Sequence, residues 1–136
     1  EAALPPELAS RPHVRLDVKI EEELFSMSAD EQAELGLSSK IGDLIRETYS
    51  LLGLMTFFTT GETETRGWTV ARGSTAPLAG AAIHTDFKDR FIRAEVIGWE
   101  ALLAAGSWSA ARDAGTLRLE GKEYIVQDGD VMVFRV

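Results

Sequence analysis

Hydrophobic and charged residues alternate between positions 14 and 20, a period of two that is typical of a β-strand. The apolar positions of this stretch are Val14, Leu16, Val18 and Ile20, and the charged positions between them are Arg15, Asp17 and Lys19. Residues 1–13 are interrupted by proline and have no period, which predicts a linker or an exposed end. The pattern therefore predicts one strand near the start of the chain.

Two helices are predicted after this strand from their start and stop signals. Ser28 and Glu31 have the spacing of a capping box, and the short helix that follows should end at Gly36. Ser39 is the predicted N-cap of a longer helix that should end at Gly53. The apolar residues of this longer helix fall on one stripe, which must be buried against another surface. They are Ile41, Leu44, Ile45, Leu51 and Leu52.

From position 54 the pattern becomes that of an α+β domain. Residues 54–60 and 65–70 are rich in aromatic and branched side chains, and the residues between them, Gly61-Glu62-Thr63-Glu64, predict a hairpin turn. Ser74 or Thr75, together with Pro77, should start a short helix that ends near His84.

A strand over 91–99 and a helix over 100–111 follow, and the chain ends in strands with turns at 120–122 and 128–130. This order of hairpin, helix, strand, helical insert and hairpin is the order of a β-grasp fold, a mixed sheet that holds one helix.

Composition assigns the chain to the globular class, with 45% hydrophobic and 26% charged residues. No apolar run approaches the roughly 18 residues that a membrane span needs. The chain has no cysteine, which excludes disulfides, cysteine–zinc sites and thiol catalysis and fits a reducing, cytoplasmic location. It begins at Glu1 without a signal pattern, so we expect it to be part of a longer protein.

The net charge of −8 argues against a generally basic nucleic-acid-binding protein. The charge is unevenly distributed, because residues 65–122 contain eight Lys or Arg against six Asp or Glu, a local balance of +2. Five bases of this region are close in sequence to aromatic residues, and charge combined with stacking is how single-stranded RNA is usually bound. They are Arg66, Arg72, Lys88, Arg90 and Arg93, near Trp68, Phe87 and Phe91. The alternative is a solvated charged face whose aromatics point into the core.

Candidate catalytic chemistry is sparse. No segment has the Gly-x-x-x-x-Gly-Lys-Ser/Thr spacing of a phosphate loop, so we expect these residues not to hydrolyse ATP or GTP by themselves. His84 and Asp86 could pair as acid and base, but we favour a structural role, with His84 at a helix C-terminus and Asp86 bonded to a turn. Asp128 and Asp130 are likewise assigned to a hairpin turn rather than to a metal site.

Three long segments carry a resemblance to a known family. They are TFFTTGETETRGWTV (56–70), GSTAPLAGAAIHTDFKDRFIRAEVI (73–97) and RLEGKEYIVQDGDVMVFRV (118–136). The chain resembles the C-terminal part of the YchF/Obg-like ATPases, which combine a P-loop G domain, a helical insert and a TGS domain of β-grasp fold. The resemblance implies that residues 1–53 are the last strand, linker and helices of the G domain and that residues 54–136 are the TGS domain.

The resemblance also implies candidate residues and partners. Val18 and Lys19 match a loop at the nucleotide base, although Asp17 and Val18 depart from the family pattern there. The positions that could contact RNA or the ribosome are Arg66, Arg72, His84, Lys88, Arg90, Arg93 and Lys122. ATP or GTP with magnesium is implied only for the full-length parent, and no catalytic residue or metal ligand is implied for this stretch.

Two functions follow as alternatives. One is a non-catalytic module that contacts RNA or the ribosome and couples it to the nucleotide state of the parent. The other is a protein-interaction module that docks on its own G domain or on a protein partner without binding RNA, since a β-grasp sheet offers a face and an edge. Neither alternative involves a membrane or DNA.

Overall fold

The computed structural model describes residues 4–61 and 63–136, and the chain divides after Leu52 into two compact units. Unit 1 contains three helices, α1 (Val18–Phe25), α2 (Ala29–Glu34) and α3 (Ile41–Leu51). Leu24 is the one buried hydrophobic side chain among the described residues of this unit. Across residues 4–61 and 63–136, no helix is long and apolar enough to cross a membrane.

The predicted strand over 14–20 is wrong, because α1 begins at Val18. The carboxylate of Asp17 accepts hydrogen bonds from the backbone N–H groups of Lys19 (3.0 Å) and Ile20 (3.2 Å) and so acts as the helix N-cap. An N-cap satisfies donors that a helix would otherwise leave unpaired. The alternating pattern gains no burial in return, since Val18 is 79% exposed.

The capping box predicted for α2 is confirmed. The Ser28 hydroxyl accepts from the Glu31 N–H at 3.3 Å, and the Glu31 carboxylate accepts from the Ser28 N–H at 2.8 Å. These hydrogen bonds from Ser28 lower the pKa of Glu31. The helix α3 begins one residue later than predicted, with Lys40 at the cap position, while the Ser39 hydroxyl accepts from the Ile41 N–H at 3.2 Å.

Unit 2 is a five-stranded mixed sheet with helices on both faces, which confirms the predicted α+β class. Its strands are β1 (Leu54–Thr60), β2 (Thr65–Ala71), β3 (Arg93–Gly98), β4 (Arg118–Glu120) and β5 (Asp130–Arg135). Their order in the sheet is β2-β1-β5-β3-β4, with β1 parallel to β5 and the other neighbours antiparallel. The predicted hairpin is confirmed by the pairing of Thr60 with Thr65, although Glu62 of its turn lies outside the described residues.

Four helices complete unit 2: α4 (Ala76–Ala81), α5 (Thr85–Asp89), α6 (Trp99–Ala105) and α7 (Trp108–Asp113). The single helix predicted over 100–111 is two helices, because Gly106 adopts a φ of +78° and the Ser107 hydroxyl then caps α7. The helix predicted to reach His84 ends at Ala81.

The main core lies between the sheet and the layer that contains α4 and α5. Its centre includes Phe57, Val96 and Met132, and the Phe134 ring makes edge-to-face contacts with three other phenylalanine rings of this layer. A smaller cluster around Ile97 and Val131 lies on the opposite face, under α6 and α7. We call these the core face and the outer face of the sheet.

Gly129 allows the most demanding backbone approach in unit 2. It adopts a φ of +84°, and a Cβ at this position would lie 2.7 Å from Cδ1 of Trp99. Gly73 has the same φ, but a Cβ there would meet nothing within 4 Å. The two positions therefore share the conformational constraint and differ in the steric one.

We expect Gly73→Ala to lower the free energy of unfolding by about 1 kcal/mol from the positive φ alone. Gly129→Ala should cost about 1 to 3 kcal/mol more, because the added methyl overpacks against Trp99. Urea denaturation of both variants measures the difference. Equal losses in the two variants would contradict the close approach of Gly129 to Trp99.

Candidate functional site

The strand pairing places most of the predicted bases at one end of the sheet. Arg66 pairs with Thr59 near the end of β1, and Arg93 pairs with Arg135 at the end of β5. Glu120 pairs with Ala94, so the turn that carries Lys122 follows at the same end. Five strands spaced about 4.8 Å apart make this end about 20 Å wide.

The segment between α5 and β3 adds two more bases to this end. Phe87 and Phe91 both contact the Phe134 ring of β5, with centroids 5.8 and 6.2 Å apart, and the backbone N–H of Ile92 donates to the Arg135 carbonyl at 2.9 Å. The intervening residues Lys88 and Arg90 are thereby held beside the ends of β5 and β3. We call the whole set the basic end, formed by Arg66, Lys88, Arg90, Arg93 and Lys122.

The charges of the basic end are largely uncompensated. Within residues 4–61 and 63–136, no ion pair joins Lys88, Arg90, Arg93 or Lys122 to a carboxylate. By contrast, the three arginines that the sequence analysis did not select are all paired. These are Arg112, Arg118 and Arg135.

Arg66 is held by an aromatic ring. Its guanidinium carbon lies 4.3 Å from the centroid of the Trp68 ring, a cation–π distance, and the Trp68 indole N–H donates to the Thr59 hydroxyl at 2.9 Å. Trp68 is therefore fixed with the guanidinium on one of its faces. Phe87 and Phe91 instead pack on the core, as the alternative interpretation of the aromatics predicts.

Three predicted site residues lie elsewhere. Arg72 is at the opposite end of β2, where its backbone N–H donates to the Gly53 carbonyl at 2.7 Å. Val18 and Lys19 lie in the first turn of α1, in unit 1. A helical turn does not fit the nucleotide-base loop implied for them, and the chain contains no phosphate loop, so no reaction step through a nucleotide is assigned to these residues.

The predicted position of His84 at a helix C-terminus is wrong. His84 is the N-cap of α5, and its Nδ1 accepts a hydrogen bond from the Asp86 N–H at 3.2 Å. The reason is that α4 ends at Ala81, which leaves the imidazole to satisfy a donor of the next helix. The Asp86 carboxylate is 3.7 Å from Nδ1, and the His84 side chain is 63% exposed, so the pair lacks the fixed geometry of a general base.

Asp128 and Asp130 are engaged in structural hydrogen bonds. Asp130 is buried and accepts from the Tyr124 hydroxyl (2.6 Å), the Gln127 N–H (2.8 Å) and the Arg118 guanidinium (3.2 Å). Burial, together with the bond to Asp130 and its charge, raises the pKa of Tyr124. Asp128 accepts from the backbone N–H of Thr56 at 2.9 Å. The described part of the chain holds no group of three or more His, Asp or Glu side chains that could bind a metal.

A second charged cluster lies on the outer face of the sheet. Glu95 accepts from Arg112 of α7 and from Arg135 of β5, each at 3.2 Å, and so ties α7 to the sheet. Partial burial favours the neutral form of Glu95, but the hydrogen bonds and charges of Arg135 and Arg112 outweigh it and lower the pKa of this carboxyl.

The outer face also holds an apolar groove that the sequence analysis missed. It has a volume of about 270 Å³ and lies between the β1–β2 hairpin and α6. Phe58 and Val131 form part of it, and Trp99, Leu102 and Leu103 line its helix side. The i,i+4 spacing of Trp99 and Leu103 was the available signal. It was not sufficient, because the strand order that places α6 beside the hairpin is not readable from local pattern.

Comparison with known proteins gives consistent matches. The model of the family YchF-GTPase_C, described as "Protein of unknown function (DUF933)", matches residues 54–136. Ribosome-binding ATPase YchF of Bacillus subtilis (strain 168) is 50% identical over 122 residues, which cover 86% of this chain and 33% of that protein. Obg-like ATPase 1 of Gallus gallus is 41% identical over 120 residues, which cover 85% of this chain and 30% of that protein.

A solved structure agrees with these matches. The Schizosaccharomyces pombe YchF GTPase superposes with a TM-score of 0.81 at 33% sequence identity, covering 88% of this chain and 33% of that one. The chain thus spans about a third of the length of the relatives that it matches.

Glu95→Gln should lower the free energy of unfolding by about 1 kcal/mol near neutral pH, because it removes a charge from two hydrogen-bonded pairs. The pKa of Glu95 is lowered from 4.5 in the folded state, so its contribution is present above that value and is lost as the pH falls through the folded pKa. Urea denaturation over this pH range measures the loss, with Glu123→Gln as the exposed control. A difference between wild type and Glu95→Gln that stays constant down to the lowest pH would contradict the assignment.

Proposed function

Since the chain belongs to the YchF-GTPase family, we propose that it is a non-catalytic TGS-type module that contacts ribosomal RNA and couples this contact to the nucleotide state of the rest of the protein. The ATPase chemistry, with ATP or GTP and magnesium, is assigned in this proposal to the part of the protein beyond these residues. The proposed location is the cytoplasm, with the ribosome.

The observation that carries the proposal is the basic end of the sheet. Four of its five bases have no carboxylate partner in the described part of the chain, although the molecule as a whole has a net charge of −8. An exposed base without a partner is available to a phosphate. The name of the Bacillus subtilis relative, a ribosome-binding ATPase, supports a ribonucleoprotein as the partner.

The acidic total does not oppose local contact with RNA. At physiological ionic strength the Debye length is about 8 Å, so charges further away than this are largely screened. The acidic unit 1 residues therefore contribute to overall charge, whereas the contact energy depends on the charges that lie at the interface. The basic end is wide enough, at about 20 Å, to follow several consecutive phosphates.

The geometry of Arg66 adds a contact of a second type. With its guanidinium over the Trp68 ring, the flat outer face of Arg66 is oriented for stacking or for a phosphate contact. The exposed His84 lies on the neighbouring helix and offers a ring rather than a catalytic base. These features support a binding role and give no support to hydrolysis.

The proposal predicts a specific loss of RNA affinity in the variant Lys88→Gln/Arg90→Gln/Arg93→Gln. If each base contacts one phosphate, the slope of log affinity against log salt should become shallower by about 2 to 3, with a loss on the order of a hundredfold near 0.1 M salt. Fluorescence anisotropy with a labelled single-stranded ribosomal RNA fragment, over a salt series, measures both quantities.

The matched control is Arg11→Gln/Lys19→Gln/Arg72→Gln, which removes the same charge from exposed positions away from the basic end. It should keep the wild-type slope. Equal slopes for the two triple variants would show that the attraction is not localised. Absence of RNA binding even at low salt would overturn the proposal in favour of a module that docks only on protein.

A further inference from the structure

The apolar groove on the outer face has the properties of a binding site distinct from the basic end. We propose that it binds a lysine- or arginine-rich protein segment through the apolar side chains of that segment. The proposal goes beyond RNA contact, because it assigns a second surface of the module to a partner of opposite charge.

The groove presents apolar surface that folding leaves uncovered. Leu103 is 71% exposed and Trp99 is 47% exposed, and these two residues form a ridge along α6 at i,i+4 spacing. The only hydroxyls of the lining, those of Thr60 and Thr65, bond to each other at 2.8 Å. The lining therefore offers little to a polar ligand and favours an apolar side chain.

Two close packing arrangements fix the shape of the groove. The Trp99 ring lies against Gly129, where a Cβ would approach within 2.7 Å, and Phe58 pairs across the hairpin with Gly67. A cavity of about 150 Å³ is sufficient to hold benzene, so a groove of about 270 Å³ admits a branched or aromatic side chain. A preformed site of this kind loses little entropy on binding.

The charges near the groove select a basic partner. Glu100 follows Trp99 and shares a helix face with Leu103 by i,i+3 spacing, while Glu64 precedes Thr65 at the other end of the groove. Both carboxylates are exposed, and neither forms an ion pair with another residue in 4–61 or 63–136. The nearest base in sequence, Arg66, lies over Trp68 on the core face.

This charge pattern disfavours the other occupants. RNA would bring phosphates toward Glu100 and onto a surface without polar partners. A second copy of the chain would bring the same carboxylates and its own net charge of −8. A basic segment gains electrostatically from both the carboxylates and the total charge, and its apolar side chains supply the contact.

The test uses the full chain and three labelled synthetic peptides in an anisotropy titration. The first peptide is rich in lysine and carries two leucines on one helical face. In the second peptide serine replaces leucine, and in the third glutamate replaces lysine. Only the first should bind well, with at least tenfold higher affinity than either of the others.

Two variants locate the binding. Leu103→Ser and Glu100→Lys should each weaken the first peptide about tenfold, because one removes the exposed ridge and the other reverses the nearby charge. Their controls are Leu119→Ser, on the far edge strand at 68% exposure, and Glu123→Lys, in the turn after β4. All four positions are exposed, so the fold should be retained, and circular dichroism verifies it.

Unchanged binding in Leu103→Ser would overturn the proposal, as would equal binding of the leucine and serine peptides. Concentration-dependent dimerisation that Leu103→Ser abolishes would identify a second copy as the occupant and would also overturn it. Because this test contains no RNA, its result is independent of whether the basic end contacts ribosomal RNA.

Discussion

The turn from Asp128 to Asp130 is the constraint on which unit 2 depends. The Gly129 N–H donates to the Thr56 carbonyl at 2.8 Å, and the Asp128 carboxylate accepts from the Thr56 N–H, so the turn clamps both backbone groups of one β1 residue. The Gly129 carbonyl accepts from the Trp99 N–H at 3.0 Å, which fixes the start of α6. Asp130 then buries its carboxylate under Tyr124. One three-residue turn therefore sets the parallel pairing of β1 with β5 and the position of α6.

This clamp explains why the two candidate surfaces are separate. The parallel β1–β5 pair brings the ends of both strands to one side of the sheet, and β3 and β4 bring their bases to the same side. The clamp itself, with α6, lies at the other end of β5 and positions Trp99 on the outer face. A molecule with a net charge of −8 can thus present an uncompensated basic end together with an acidic, apolar groove. A ribonucleoprotein, which contains phosphates and basic protein segments, is a partner for which both surfaces are suitable.

Sequence reasoning succeeded where the determining interaction is local. The capping box of Ser28 and the β1–β2 hairpin were predicted from neighbouring residues and are confirmed. The strand over 14–20 was wrong, because a strand needs a partner, whereas the N-cap bond of Asp17 needs only the next turn of chain. His84 was misplaced for a similar reason, since its role depends on where α4 stops. The groove and the common end of the bases were not predictable, because both depend on the order of strands in the sheet.

The central claim is that RNA binds at one end of the sheet through localised charge. Titration of the ¹⁵N-labelled chain with a single-stranded RNA fragment, followed by amide chemical shifts, tests it most directly. The account predicts that perturbations cluster at residues 63–66, 84–93 and 121–122 and leave Arg72 and the Trp99–Leu103 helix unchanged. Perturbations centred on Arg72 or on that helix, or none at low salt, would contradict it.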